Sequence, residues 1–238
     1  MRTDTWPEPE RRDPPRSMAT WAVREPLARW LRDEARRAHE ELGRYSVLDV
    51  GCGPKPYYPF FEPYVSEYVG VDVKDAAAEL EGTVESIPVA DGDYQVVLCT
   101  QVLEHADDPA AAIRELRRVT APGGRVLLST HGVQIYHPNP DDYWRWTHAG
   151  LEKLFRENGD WTSLAVRPGS GTAACIAMLV NIYVDIALRH AHLAPAARAF
   201  CATVNRAAAA IDARSARLRE PGHTTLFANF HVVAEVPA

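Results

Sequence analysis

The stretch VLDVGCGPKPYYPFF, Val47 to Phe61, decides the fold. An apolar run of strand type ends in Asp49, and two glycines follow one residue apart. Glycine lets a backbone turn sharply and approach a ligand closely, so Gly51 and Gly53 read as a ligand loop after a first strand. Where a dinucleotide fingerprint needs its third glycine, this chain has Pro56. The Gly-Lys-Ser/Thr of a phosphate loop is also absent.

Outward from that loop, strands and helices alternate. Ser17 to Gly43 reads as a helix, with Leu27, Trp30, Leu31, Ala35 and Ala38 at helical spacing and Pro26 tolerated near its start. YSVLDV, EYVGVDV, YQVVLCT, RVLLST and TSLAVRP read as strands, and PAAAIRELRRVT as a helix stopped by APGG. WTHAGLEKLFRENG is a helix capped by Thr147, with Trp146 and Leu151 spaced as a hydrophobic staple and Gly159 at the exit. Thr172 to Arg219 is helical and alanine-rich, broken near Pro195, and HTTLFANFHVVAEV closes the chain as a long strand. The expectation is a doubly wound, Rossmann-like, mostly parallel α/β sheet with an antiparallel C-terminal edge strand and a helical insert (172–220) before it.

Composition bounds the rest. The chain has 238 residues, 46% of them apolar, and a formal net charge of -6. That suits one domain, residues 17–238, behind a charged, proline-rich flexible tail, 1–16. The negative balance argues against nucleic acid as a partner. Cys52, Cys99, Cys175 and Cys201 are scattered without zinc spacing, so no metal is expected, and the thiols read as reduced in a cytoplasmic protein. Thr172 to Leu188 is nearly apolar, but Asn181 and Asp185 interrupt it, which favours a buried or interface helix over a membrane span.

The loop's chemistry narrows the ligand. A missing third glycine disfavours a diphosphate, and Asp49 would repel one. Asp72, at the end of the second strand, suits the two hydroxyls of a ribose. A ligand with a ribose, positive groups and no phosphate is S-adenosylmethionine.

With VLDVGCG, YVGVDV, ESIPVADGDYQVVLCTQVLEHADDPAAAIRELRRVTAPGGRVLLST and WTHAGLEKLFRENG in order, the chain resembles class I S-adenosylmethionine-dependent methyltransferases of the small-molecule, type 11-like group. The resemblance implies S-adenosylmethionine as cofactor. It makes Asp49, Gly51, Cys52 and Gly53 the loop at the methionine end, Asp72 the ribose carboxylate and Val73 its neighbour beside the adenine. Val84 and Glu85 would flank the adenine, and Cys99, Thr100 and Gln101 would line the floor. Thr83 stands where the family often has an Asp near the adenine amino group.

The acceptor side is expected in THGVQIYHPNPDDYWRW, dense in aromatic and ionisable groups. His131, His137 and Tyr143 are the candidate catalytic residues, with either histidine eligible as base. Tyr57, Tyr136, Trp144 and Arg145 are the candidate substrate contacts, although Asp142 and Arg145 also read as an ion pair. Glu104 and His105 read as a helix cap or sheet packing, and Lys55 as solvated or reaching an acidic substrate. The insert is expected to roof the pocket or to form a homodimer. The function expected is methyl transfer to an O, N or C nucleophile of a small-molecule acceptor. The alternatives are an enzyme that uses the same cofactor without moving its methyl, for example by cyclising the aminobutyryl chain, and a methyltransferase of a lipid-linked or saccharide substrate at a membrane surface. Membrane contact is disfavoured by the polar interruptions.

Overall fold

A computed structural model describes residues 6–73, 77–138 and 140–238. Seven strands form one sheet: β1 (Tyr45–Val50), β2 (Val65–Asp72), β3 (Leu80–Glu81), β4 (Tyr94–Thr100), β5 (Thr120–His131), β6 (Ser163–Pro168) and β7 (Asn229–Glu235). Their order is β3-β2-β1-β4-β5-β7-β6. β1 pairs in parallel with both β2 and β4, and β4 with β5. Chain order therefore reverses between β1 and β4, and the loops after these two strands leave in opposite directions.

β7 is antiparallel to both neighbours, as expected of the C-terminal strand, but it lies one place in from the edge. Burial explains the placement. β7 is almost wholly buried, whereas β6 is half-exposed and takes the outer position. The strand expected from His223 starts later, because Gly222 and Thr225 close a polar turn before it.

The helices pack where their apolar faces point. α4 (Pro109–Val119) starts on Asp108, whose carboxylate accepts the N–H groups of Ala110 and Ala111 at 3.0 Å each. α5 (His148–Asn158) starts on Thr147, whose hydroxyl accepts the Gly150 N–H at 3.1 Å. Both cover one sheet face, where Trp146 and Leu151 share a core with Ile113, Leu116 and Val97. On the opposite face α2 (Trp21–Leu42) lays Leu27, Leu31, Ala35 and Ala38 against Val47, Val96 and Leu98.

The insert is a helical pair, α6 (Thr172–His190) and α7 (Ala194–Arg214), with Pro195 in the first turn of α7. By length and composition α6 could cross a membrane, its most apolar window having a mean hydropathy of 1.5. Here it packs against α7 and α2. Its buried Asn181 donates to Asn205 at 2.9 Å, and the Asp212 carboxylate accepts the Ala173 and Ala174 N–H groups at its start.

The N-terminal segment is not the loose tail expected from its composition. Residues 1–5 lie outside the described residues, but 6–16 dock on the fold through a short helix, α1 (Pro9–Arg12). The buried Arg12 guanidinium donates to the carbonyls of Pro7 (2.8 Å), Trp6 (3.0 Å) and Pro56 (2.6 Å). Trp6 donates its indole N–H to the Lys55 carbonyl at 2.8 Å and lies 4.8 Å from the Tyr58 ring.

Burial beneath Trp30, on which it stacks at 4.6 Å, pushes the His231 imidazole down to about 3, with Arg29 adding to the effect. The folded state thus holds it neutral, while the unfolded chain protonates below about pH 6.5. Its contribution is present above that pH and is lost as pH falls, by up to about 1.4 kcal/mol per unit. Urea denaturation at pH 7 and pH 5 should show the parent losing about 2 kcal/mol more than His231→Phe over that interval. Equal losses would mean that His231 takes up its proton in the folded state.

Candidate functional site

The site begins where β1 ends. Gly51 has φ +67°, and a Cβ there would lie 2.3 Å from Val102 Cγ2 on the loop after β4. Both the turn and the close approach require glycine. Gly53 has φ +48° with open space beside it, and its N–H donates to Asp72 Oδ2 at 2.9 Å. The next helix, α3 (Tyr58–Phe61), is a single turn. This loop therefore does not lead into a long helix whose N-terminus would face a pyrophosphate.

Across the switch point, Gln101 has φ +59° and donates to Ser129 Oγ at 2.9 Å, while Asn229 donates to its side-chain oxygen. Between the two loops opens a cavity of about 830 Å³. Gly51, Cys52, Gly53, Asp72 and Val73 line one wall, Val84 and Glu85 with Thr83 a second, and Thr100 and Gln101 the floor. Tyr57, His131 and His137 also reach it, with Glu104, His105 and Gln134 beside the histidines.

Six expected site residues lie elsewhere. Asp49 sits beneath the loop, where Tyr68 donates to it at 2.7 Å and burial pushes its carboxyl up to about 7. It braces the loop from below. Cys99 is sealed inside the sheet, because it faces the α4 side of the core. Tyr143 is 52% exposed and gives its hydroxyl to Asp141, and Tyr136 is 69% exposed. Trp144 donates its N–H to the Ala106 carbonyl and stacks on Trp146. Arg145 is held by Asp142 through two hydrogen bonds and donates to the carbonyls of Gln134, Ile135 and Trp144, so it fastens the loop instead of facing a ligand. Lys55 is buried in an ion pair with Glu79.

The roof also differs from expectation. No described residue of α6 or α7 lines the cavity; Arg11, Thr20, Val23, Arg24 and Leu27 do. The insert acts one layer back, packing Cys175, Met178 and Ile182 on Ala22 and Val23.

Of the two roles expected of Glu104, the helix cap is supplied by Asp108, and Glu104 packs against the sheet. Glu104 is fully buried, its Oε2 accepts the Thr130 hydroxyl at 2.8 Å, and burial pushes its carboxyl up to about 7. Its Oε1 lies 3.4 Å from His131 Nδ1. Burial pushes the His131 imidazole down to about 3, with the Arg145 charge adding to the effect, so the ring is neutral at pH 7. The Leu-Glu-His segment in the sequence is the available signal for Glu104, whereas His131 stands 26 residues or more away at the end of β5.

A family model described as a methyltransferase domain matches residues 20–165. The chain belongs to this methyltransferase family. The uncharacterized methyltransferase YcgJ of Bacillus subtilis is 32% identical over 103 residues, covering 37% of this chain and 41% of that protein. The ubiquinone biosynthesis O-methyltransferase of Pseudomonas paraeruginosa is 34% identical over 108 residues, covering 37% and 45%. The chain thus spans less than half the length of these curated relatives. A solved S-adenosylmethionine-dependent methyltransferase from Archaeoglobus fulgidus shares the fold, with a TM-score of 0.54 at 12% identity over 87% of this chain and 93% of that one. The matched methyltransferase region begins at Thr20, on the roof, and includes every cavity-lining residue except Arg11.

Arg12 ties the N-terminal segment to the glycine loop through the Pro56 carbonyl. Arg12→Ala should lower stability by about 1.5–3 kcal/mol, the range for hydrogen bonds to a charged group. It should also speed proteolytic cleavage within residues 6–16. Unchanged cleavage and melting would show that the Arg12 guanidinium does not hold the segment.

Proposed function

We propose that this chain transfers the methyl group of S-adenosylmethionine to a small-molecule acceptor. The carrying observation is one cavity with two chemically distinct ends. The Gly51–Gly53 loop and Asp72 make an end suited to a ribose and a charged aminoacyl chain, and the histidines make an end suited to an acceptor. At about 830 Å³ the cavity is within the range of small-molecule sites and leaves room for an acceptor beside the cofactor.

Methyl transfer is an in-line displacement at an already activated carbon. The protein's task is to align nucleophile, methyl and sulfur and to exclude water. Asp72 would take the ribose hydroxyls while Gly53 N–H fixes its carboxylate. Thr83, Val84 and Glu85 would flank the adenine. His131 and His137 present imidazole nitrogens that can accept a hydrogen bond or a proton from the acceptor. Four buried cysteines without a disulfide suit a reducing, cytoplasmic setting.

Asp72→Asn keeps an oxygen for the Gly53 N–H but removes the charge. Calorimetry with S-adenosylhomocysteine should show binding weaker by roughly tenfold to a hundredfold, the equivalent of a lost charge-assisted contact of about 1.5–3 kcal/mol. Unchanged affinity would remove Asp72 from the cofactor site. NAD should show no saturable binding at micromolar concentration.

Release of S-adenosylhomocysteine from labelled cofactor in metabolite extracts tests the acceptor end. His131→Ala or His137→Ala should keep cofactor affinity and lose about tenfold to ten-thousandfold in turnover. Tyr143→Phe should turn over like the parent. Release of methylthioadenosine instead would indicate cleavage of the aminobutyryl chain without methyl transfer.

A further inference from the structure

The acceptor end holds more ligating nitrogen than one base requires. Three imidazoles meet there: the His131 and His137 rings lie 5.4 Å apart and those of His105 and His137 5.0 Å, each pair edge to face. One ligand atom each of His131, His137 and Asp142 lie within 4.8 Å of one another.

We propose that His131, His137 and Asp142 hold a divalent transition-metal ion of the zinc type, which binds and activates an oxygen acceptor beside the cofactor's methyl group. This site rests on the methyl-transfer reading, and in it the two histidines act through the ion instead of taking the acceptor's proton themselves.

Two further observations support it. His131 Nδ1 and Glu104 Oε1 are buried polar atoms that make no hydrogen bond among the described residues, and both belong to side chains that line the cavity. The Asp142 side chain is also fully buried, held in place by Arg145 and by the His137 N–H at 3.1 Å. His105 lies beside the set with its Nδ1 bonded to the Asp141 carbonyl.

The distances suit a site that tightens on loading. Zinc bonds of about 2.0–2.2 Å put neighbouring ligand atoms about 3.4 Å apart. His137 and Asp142 lie on the loop between β5 and α5, and rotation of the His137 side chain can supply the closure. Two imidazoles and one carboxylate favour zinc, iron(II) or cobalt over magnesium, which prefers oxygen ligands and several waters.

Three protein ligands leave a position for the acceptor. A phenolic or enolic hydroxyl bound there loses its proton to water at neutral pH. Its oxygen forms the new bond to the methyl carbon as the carbon–sulfur bond breaks. The electron pair of that bond stays on sulfur, which becomes a neutral thioether. The acceptor class is therefore an acidic hydroxyl methylated on oxygen.

The test uses the full chain, stripped with a chelator and titrated with Co²⁺ alone, then with Zn²⁺ as competitor. One equivalent of Co²⁺ should bind with the visible absorption of nitrogen ligation and be displaced by Zn²⁺ but not by Mg²⁺. His131→Ala and His137→Ala should each weaken binding by about 100-fold or more, since even outer partners of a metal site count for 10–100-fold. S-adenosylhomocysteine affinity should be unchanged in both, which also reports that they fold. A parent that binds S-adenosylhomocysteine but neither metal at micromolar concentration overturns the metal site and leaves the methyl-transfer reading standing. Variants that bind Co²⁺ like the parent overturn it too. Metal binding without S-adenosylhomocysteine binding overturns the methyl-transfer reading and the activation built on it.

Discussion

The cavity depends on the contact between Gly51 and Val102. β1 and β4 are hydrogen-bonded neighbours, yet their loops must part to leave room for a ligand. The β1 loop turns away at a left-handed residue and passes so close to Val102 that no side chain fits between them. The Gly53 N–H then reaches Asp72 on β2, and the carbonyls of Lys55 and Pro56 become available to Trp6 and Arg12. Loop, Asp72 wall and roof are consequences of one backbone turn.

The parts of this site that depend on local chemistry were legible in the sequence. The Gly51–Gly53 loop, Asp72 at its strand end and the Thr147 cap each announce themselves within a few residues, because φ preference and hydrogen-bond reach act at short range. The roof was not legible. Arg12 is buried by three backbone carbonyls, and a carbonyl leaves no mark in a sequence. A charged, proline-rich stretch looks solvated until its partners are known. Arg145 misled in the opposite sense: its neighbour Asp142 was visible, but not the carbonyls of residues 134 and 135 that complete its shell.

Burial also reassigned several chemical roles. Asp49, in β1, and Glu104, in the turn at residues 103–105 after β4, are both buried carboxylates, and in both burial favours the neutral form. Asp49 is satisfied by Tyr68 and serves the loop from below. Glu104 keeps one oxygen without a hydrogen bond among the described residues and turns it toward His131. Composition alone does not separate these two environments, whereas their partners do: Tyr68 for Asp49, Thr130 and His131 for Glu104.

The position of β7 constrains how the chain reaches this state. β6 precedes β7 in sequence, yet β7 is the strand that joins β6 to β5. During synthesis β5 is complete long before residues 229–235 leave the ribosome. Its outer edge therefore carries unpaired N–H and C=O groups while about a hundred further residues are added. The α6–α7 pair is made in that interval and can shield α2, but it cannot satisfy the edge. The nascent protein therefore passes through a stage with an open, apolar strand edge, when binding by a chaperone or pairing with another nascent copy competes with correct closure.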